Sequence, residues 1–360
     1  MEFSFSQLFK KIKPLFEKEK SVLGVDIGTS SIKIVQLRKE KERAVLETYG
    51  ELAIGPYNKL KVGQAAKVSE ATIVEALKDV LKEANAKAKT SVVSIPLASS
   101  FITTINFPFS EEDDMSEVIK IEARRYIPVP LSEVVLDWKI VPGDEKERSK
   151  ITQVLLAAIH KDSINAYKNI VSGAGLNAQA YEIECFSVVH SCLGRESSPV
   201  AILDFGASTT KITVVDYGII KATHSIGHGS QELTLALSHS LSVDFERAEE
   251  MKREIGLSDL PENREVVSVI EPVLEYIFVE AERFIRDFQK KNNRSVGKVI
   301  LSGGGSLLKG LVDFSVKKFT MEVELADPFA KVEYPVFLSG IIKGIGVNFS
   351  IATGLALREL

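Results

Sequence analysis

Two hydrophobic periods divide the chain. Apolar or alternating runs of about 4–8 residues, bounded by Gly, Pro, Asn or Asp, read as strands. Residues 22–54 hold three, and Val92–Pro96, Phe101–Phe107, Val134–Val141, Ile151–Ile159 and Ala178–Ile183 hold five more. Helical spacing appears over Val68–Ala84, where Ile73, Leu77, Val80 and Leu81 share a face. It returns from Ser110 to about Tyr126, with the acidic run Glu111–Asp114 at the positive helix end and Pro128 and Pro130 as stops. A charged turn, Gly143–Lys150, joins two of the strands, so 101–161 reads as a small α/β insertion. Glu184–Leu193, Asp244–Ile255, Val266–Gln289 and Phe349–Leu357 are predicted helices, and Gly194–Pro199 is a linker. The first 20 residues place Phe5, Leu8, Phe9, Ile12, Leu15 and Phe16 at helical spacing among lysines. Their acidic residues favour packing on the chain itself over a membrane contact.

One pattern occurs twice. Val25-Asp26-Ile27-Gly28-Thr29-Ser30-Ser31-Ile32-Lys33-Ile34 returns as Leu203-Asp204-Phe205-Gly206-Ala207-Ser208-Thr209-Thr210-Lys211-Ile212, 178 residues later. Asp, Gly, Ser, Lys and Ile keep their offsets. An apolar run enters each copy and an alternating run leaves it, which predicts strand, tight turn, strand. The repeat suggests two similar halves facing each other. Each part has a physical use. An unpaired carboxylate ending a buried strand is costly, and a hydrated cation relieves the cost. The glycine lets backbone approach a ligand, and the small turn residues can aim N–H and hydroxyl groups at phosphate oxygens. The lysine adds a mobile positive charge. Two ordinary Asp-Gly hairpin turns are the simpler alternative, weakened by the matched copies.

Composition narrows the class. With 360 residues and 45% apolar content the chain has material for two domains with a substantial core. A net charge of −4 implies no nucleic-acid surface. Cys185 and Cys192 lie two turns apart on one predicted helix, too far to bridge, as in a reduced, cytoplasmic protein. Met1–Lys20 lacks the apolar core of a signal peptide. Tyr334–Leu357, the most apolar stretch, is interrupted by Lys343, Asn348 and glycines and reads as protein interior rather than a membrane span. No GxxxxGK[S/T], GxGxxG, GxSxG, HExxH or CxxC motif is present. His224 and His228 are four apart but on strand and turn without a carboxylate, a weak metal candidate.

The paired motif resembles the phosphate hairpins of the actin-like ATPase superfamily, which grip nucleotide phosphates between two pseudo-symmetric domains. The segment Val299–Ser306, with Gly303, Gly304 and Gly305 before Leu307–Leu311, is similar to the turn that lies against the adenosine at a helix N-terminus. The resemblance implies ATP and Mg²⁺ as cofactors. Asp26 and Asp204 would hold the metal, and Gly28, Thr29, Ser30, Lys33, Gly206, Ala207, Ser208 and Thr209 the phosphates. Glu249 and Lys252 would reach ribose and adenine, and Glu184 stands where a polar residue positions the attacking water; as plain residues these are an exposed ion pair and a helix-start carboxylate. His228 departs from the Gly-Gly of relatives.

The string Ile121–Pro130 with Glu133–Trp138 resembles the PilM family of type IV pilus assembly, itself similar in fold to FtsA. That implies an α/β, actin-like (ribonuclease H-like) two-domain fold with an FtsA-type inserted subdomain. The expected parts are an amphipathic segment 1–20, domain 1A at 21–100 and 162–196 with the helix 347–360, subdomain 1C at 101–161, domain 2A at 197–225 and 297–346, and domain 2B at 226–296. The implied partner is the N-terminal tail of the inner-membrane protein PilN, in a groove between 1A and 1C. Contacts with other pilus platform proteins and with further copies of the chain are also expected. Location would be cytoplasmic, at the membrane's inner face through partners, and ATP turnover at most slow. An FtsA-like filament protein and a small-molecule kinase are the alternatives; the absence of an FtsA-type membrane-targeting tail and of a general-base Asp for a sugar speaks against them.

Overall fold

The computed structural model describes residues 21–108, 115–141 and 151–360. The expected amphipathic segment 1–20, the acidic helix start at 110–114 and the charged turn 143–150 lie outside the described residues.

The first sheet grows from the first copy of the repeat. β1 (Ser21–Ile27) and β2 (Ser31–Glu40) are antiparallel, and β3 (Arg43–Ala53) continues the meander. Helix α1 (Glu70–Glu83) starts at Ser69, whose hydroxyl accepts the Thr72 N–H, and buries Ala76, Leu77 and Val80. β4 (Thr90–Ile95) then pairs parallel with β1. An insertion follows: β5 (Ser100–Pro108), α2 (Met115–Ala123), β6 (Val134–Val141) and β7 (Ile151–His160), forming a separate sheet in the order β5-β7-β6. Its own small core holds Ile105, Ile119, Ala123, Val154 and Leu156. α3 (Lys161–Gly173), not foreseen from the apolar pattern, leads to β8 (Asn177–Ile183), which completes the first sheet beside β4.

After α4 (Glu184–Cys192) the second copy opens a second sheet with β9 (Val200–Phe205), β10 (Thr210–Asp216) and β11 (Ile219–Ile226). Helices α5 (Ser230–Leu241), α6 (Phe245–Ile255) and α7 (Arg264–Asn292) pack on it around Leu274, Ile277 and Phe278. β12 (Lys298–Ser302), α8 (Leu311–Phe319) and β13 (Glu322–Leu325) finish the order β11-β10-β9-β12-β13. The chain then returns: β14 (Val332–Glu333) joins β3, and α9 (Ser339–Ile345) and α10 (Ser350–Leu357) end the described chain.

Residues Val336–Leu357 are long and apolar enough to cross a membrane by composition, with mean hydropathy 1.5. The structure divides them. α10 is buried along nearly its whole length, with Leu355 and Ala352 fully enclosed. Val336 and Phe337, by contrast, are 87% and 80% exposed, so the reading of this stretch as interior fails at its leading end. There the chain makes a short 3-10 turn off the sheet edge, and no described element covers it. α10 approaches its neighbours backbone to backbone. A Cβ on Gly24 would sit 1.9 Å from the Ala352 carbonyl oxygen, and one on Gly354 would sit 1.7 Å from that of Ser187. Ser191 adds a hydroxyl bond to the Ser350 carbonyl at 2.7 Å. β1, α10 and α4 therefore form one closely packed stack at the base of both sheets.

Gly354→Ala should lower stability by about 3 kcal/mol or more, because a backbone carbonyl cannot move aside. Gly340→Ala, in open space on α9, should raise it by a few tenths to about 1 kcal/mol. Urea unfolding of the two variants checks both signs; equal effects would refute the packing argument.

Candidate functional site

The two copies of the repeat form hairpins with the same turn. Gly28 N–H donates to the Ser31 carbonyl at 3.0 Å, and Gly206 N–H to that of Thr209 at 3.1 Å. The turn closes on itself, so a Cβ at either glycine would press on the accepting oxygen, at 3.0 and 2.8 Å. Register places Asp26 opposite Lys33 and Asp204 opposite Lys211. Both aspartates are buried strand-end residues, 7% and 8% exposed, and both line one cleft of about 690 Å³ between the two sheets. The hairpin tips meet across it, with the Thr29 and Ser208 hydroxyl oxygens 3.0 Å apart.

The matched lysines have unmatched partners. Lys33 donates to the Ser31 hydroxyl at 2.8 Å and lies 3.5 Å from Glu51. Lys211 is not the mobile charge that the repeat suggests. Its side chain is 18% exposed, donates to Glu184 Oε2 at 2.8 Å and stands 3.5 Å from Asp204 Oδ2. Burial pulls the Lys211 ammonium down, but Glu184 and Asp204 outweigh it and hold the group firmly protonated. Glu184, the first residue of α4, uses its other oxygen to accept the Leu97 N–H at 2.7 Å. Asp26 has a weaker set: the Ser94 hydroxyl donates to it at 2.9 Å. Burial pushes its carboxyl above the usual range, more than Lys33 and Ser94 can offset.

Gly303 has φ +81°, and a Cβ there would lie 2.6 Å from Asp204 Oδ1. The glycine turn is thus packed directly on the second aspartate. It leads into a 3-10 turn over Gly304–Leu307, and α8 begins only at Leu311 behind Gly310. The expectation that these glycines sit at a helix N-terminus is therefore corrected; the φ > 0 at Gly310 delays the helix. Glu249 and Lys252 lie at the same cleft and bond each other at 2.6 Å. Thr234 and Arg253 also donate to Glu249, at 2.6 and 2.7 Å. Burial pushes the Glu249 carboxyl up, but Lys252 with these donors holds it below the usual range. The pair is buried, not a solvent-exposed surface pair. His224 stacks on Phe284 and His228 packs edge-on to Tyr276, and no group of three metal-binding side chains occurs among the described residues.

Several cleft residues carry no signal in one sequence. Ser302, in register with Asp204, and Asn348 each present a buried side-chain oxygen without a hydrogen-bond partner. A loop after β3 reaches across the cleft. Its Ala66 N–H donates to the Thr29 carbonyl, its Ala65 N–H to Gln231 Oε1, and its Lys61 pairs with Glu246 at 2.8 Å. Only the fold brings these residues together: the first bond ties the loop to the first hairpin, and the other two span the two halves of the chain.

A carboxyl whose folded pKa lies above its unfolded value adds stability below the unfolded value and loses it as pH rises through the folded one. Asp26 is such a group without ligand. Asp26→Asn keeps the acceptor for Ser94 and removes the buried charge. It should raise the melting temperature of the ligand-free chain at pH 7 by a few degrees, with the gain shrinking as pH falls toward 4. A lower melting temperature at pH 7 would contradict this.

With the geometry in place, known proteins give its context. The Helicobacter pylori (strain J99) cell division protein FtsA is 26% identical over 228 residues, covering 55% of this chain and 45% of that protein. The chain thus spans less than half the length of that relative. The solved PilM-PilN type IV pilus biogenesis complex matches with a TM-score of 0.79 and 26% identity, over 94% of this chain and 98% of that one. MreB5 of Spiroplasma citri bound to AMPPNP matches in fold alone, with a TM-score of 0.50 and 13% identity over 93% and 94% of the two chains. The fold is α/β and actin-like. The family model described as type IV pilus assembly protein PilM covers residues 24–360, and the chain belongs to that family.

Proposed function

We propose that this pilus assembly protein binds Mg-ATP between its hairpins and takes the N-terminal tail of a PilN-like inner-membrane protein. The observation that carries the reading is the pair of matching turns, closed by the same hydrogen bond, whose buried aspartates face one cleft. The donor set fits the ligand. Asp26 is held with too few partners for a buried anion, which suits a hydrated cation. Ser302 Oγ and Asn348 Oδ1 are buried at the cleft with nothing to bond. The packed glycine turn leaves room for a ligand only because it has no side chains.

In this reading Asp26 and Asp204 hold Mg²⁺, largely through waters. The turn residues Gly28, Thr29 and Ser30, with Gly206, Ala207, Ser208 and Thr209, offer N–H and hydroxyl groups to phosphate, and Lys33 adds charge. Gly303, Gly304 and Gly305 flank the adenosine. Glu249 and Lys252 fix the ribose and base. Mg²⁺ supplies charge neutralisation of the phosphates when bound. Glu184 sits where a carboxylate orients water.

The partner follows from family membership and from the similar PilM-PilN complex. The tail would lie in the groove between the first lobe and the insertion. Such a chain works in the cytoplasm at the inner membrane face, meeting the membrane through PilN and other platform proteins.

Calorimetry with Mg-ATP tests the nucleotide reading. Asp204→Ala and, less strongly, Asp26→Ala should weaken binding at least tenfold, about 1.4 kcal/mol. Unchanged affinity in both variants would refute it. Co-purification with a synthetic PilN-like N-terminal peptide, with and without Mg-ATP, tests the partner.

A further inference from the structure

The same offset in the two hairpins carries lysine, yet only one of the two reaches the water-orienting candidate. Lys33 turns to Ser31 and Glu51 on its own lobe. Lys211 crosses to the other lobe and binds Glu184, the residue that opens α4. We propose that Lys211 is a positioning residue that restrains nucleotide turnover by holding Glu184 in an ion pair, so that the site keeps ATP rather than consuming it.

The inference rests on the Mg-ATP reading above and adds to it the control of the same site. Both Glu184 oxygens are spoken for, Oε1 by the Leu97 N–H at 2.7 Å and Oε2 by Lys211 at 2.8 Å. Hydrolysis is faster when a polar side chain orients the attacking water, and Glu184 could also accept its proton. The water oxygen bonds to the γ-phosphorus while the bond to the bridging oxygen breaks and ADP leaves. An ammonium in that place competes for the lone pair a water would use. The pair also resists opening. Glu184 is buried and Lys211 is largely enclosed, its side chain 18% exposed, so a swing of Glu184 toward the cleft would leave that ammonium with Asp204, 3.5 Å away, as its remaining ion-pair partner. The Leu97 bond holds Glu184 from the opposite side, so it is clamped between a backbone amide and a cation.

The test uses the full chain. Lys211→Gln should raise single-turnover hydrolysis of Mg-ATP about tenfold or more, with Kd from calorimetry within about threefold. Lys211→Arg, which keeps the charge, should stay as slow as the unsubstituted chain. The double variant Lys211→Gln/Glu184→Gln should lose the gain. In nucleotide-free chain, urea unfolding should show that the stability losses of Lys211→Gln alone and Glu184→Gln alone sum to more than that of the double variant, as for one coupled pair. Lys211→Ser serves if the Gln variant does not fold. Normal Mg-ATP affinity with unchanged or slower turnover in Lys211→Gln overturns the restraint and leaves the nucleotide reading intact. Affinity reduced tenfold in that variant also overturns it, since Lys211 would then be a phosphate ligand. Lack of Mg-ATP binding by the unsubstituted chain overturns both.

Discussion

Burying carboxylates is the constraint around which this molecule is arranged. Asp26, Asp204 and Glu184 all lie buried at one cleft, where water cannot offset their charge. One largely enclosed ammonium, that of Lys211, serves two of them, and Asp26 is left with a serine hydroxyl as its side-chain hydrogen-bond donor. A fold selected for stability alone would replace such groups with apolar ones. Their retention costs the ligand-free chain stability and keeps negative charge directed at the space between the hairpins, where a cation would relieve it. The cleft is strained in the electrostatic sense before any ligand arrives.

That arrangement holds only if the two sheets keep a fixed spacing at their base. α10 supplies it. Its backbone lies against β1 at Gly24 and against α4 at Gly354, closer than any side chain allows. α4 starts with Glu184 and Asp26 is the next-to-last residue of β1, so the helix stack and the charged cleft share residues or direct neighbours. Apolar burial thus sets the distance over which the charges act. At the open side the contacts are polar and fewer: the Thr29–Ser208 hydroxyl pair, Ala65 to Gln231 and Lys61 to Glu246. A rigid base and weakly bonded lips are the anatomy of a hinge.

The sequence carried the hairpins openly because their turn is local. Gly28 and Gly206 each bond a carbonyl three residues on, and a repeat of ten residues encodes that fully. The insertion was legible by its own apolar alternation, and α1 by its face and its Ser69 cap. What escaped was set by distance. Lys211 reads as the twin of Lys33, and nothing nearby in sequence reveals Glu184, 27 residues earlier, as its partner. Ser302 and Asn348 are common polar residues whose isolation is visible only when their surroundings close. α3 was missed because its buried positions, Ile164, Ile170 and Val171, are too few to set a strong period. The glycine turn misled for the opposite reason. Three glycines before an apolar run read as a helix start, but the positive φ at Gly310 postpones the helix to Leu311.

The insertion shows how a local module becomes part of the whole. It departs from the first lobe right after Leu97, whose N–H binds Glu184, so its first strand is anchored at the cleft wall. Its far face does not stay with the lobe that carries it. Ile102, Ala157 and Ile159 pack into the cluster that holds Val215 and Ile220 of the second sheet, and Lys221 of β11 donates to Gln153 of β7 at 2.7 Å. A side chain on one lobe and a seam on the other therefore grip the same three-stranded sheet. Apolar seams of this kind resist separation but tolerate sliding, whereas the Leu97–Glu184 bond is short and directional. Any rotation of the second sheet relative to the first must then drag the insertion or shear the seam. Unless the seam shears, the spacing between the insertion and the first lobe changes with such a motion, because the insertion is fastened to the moving part.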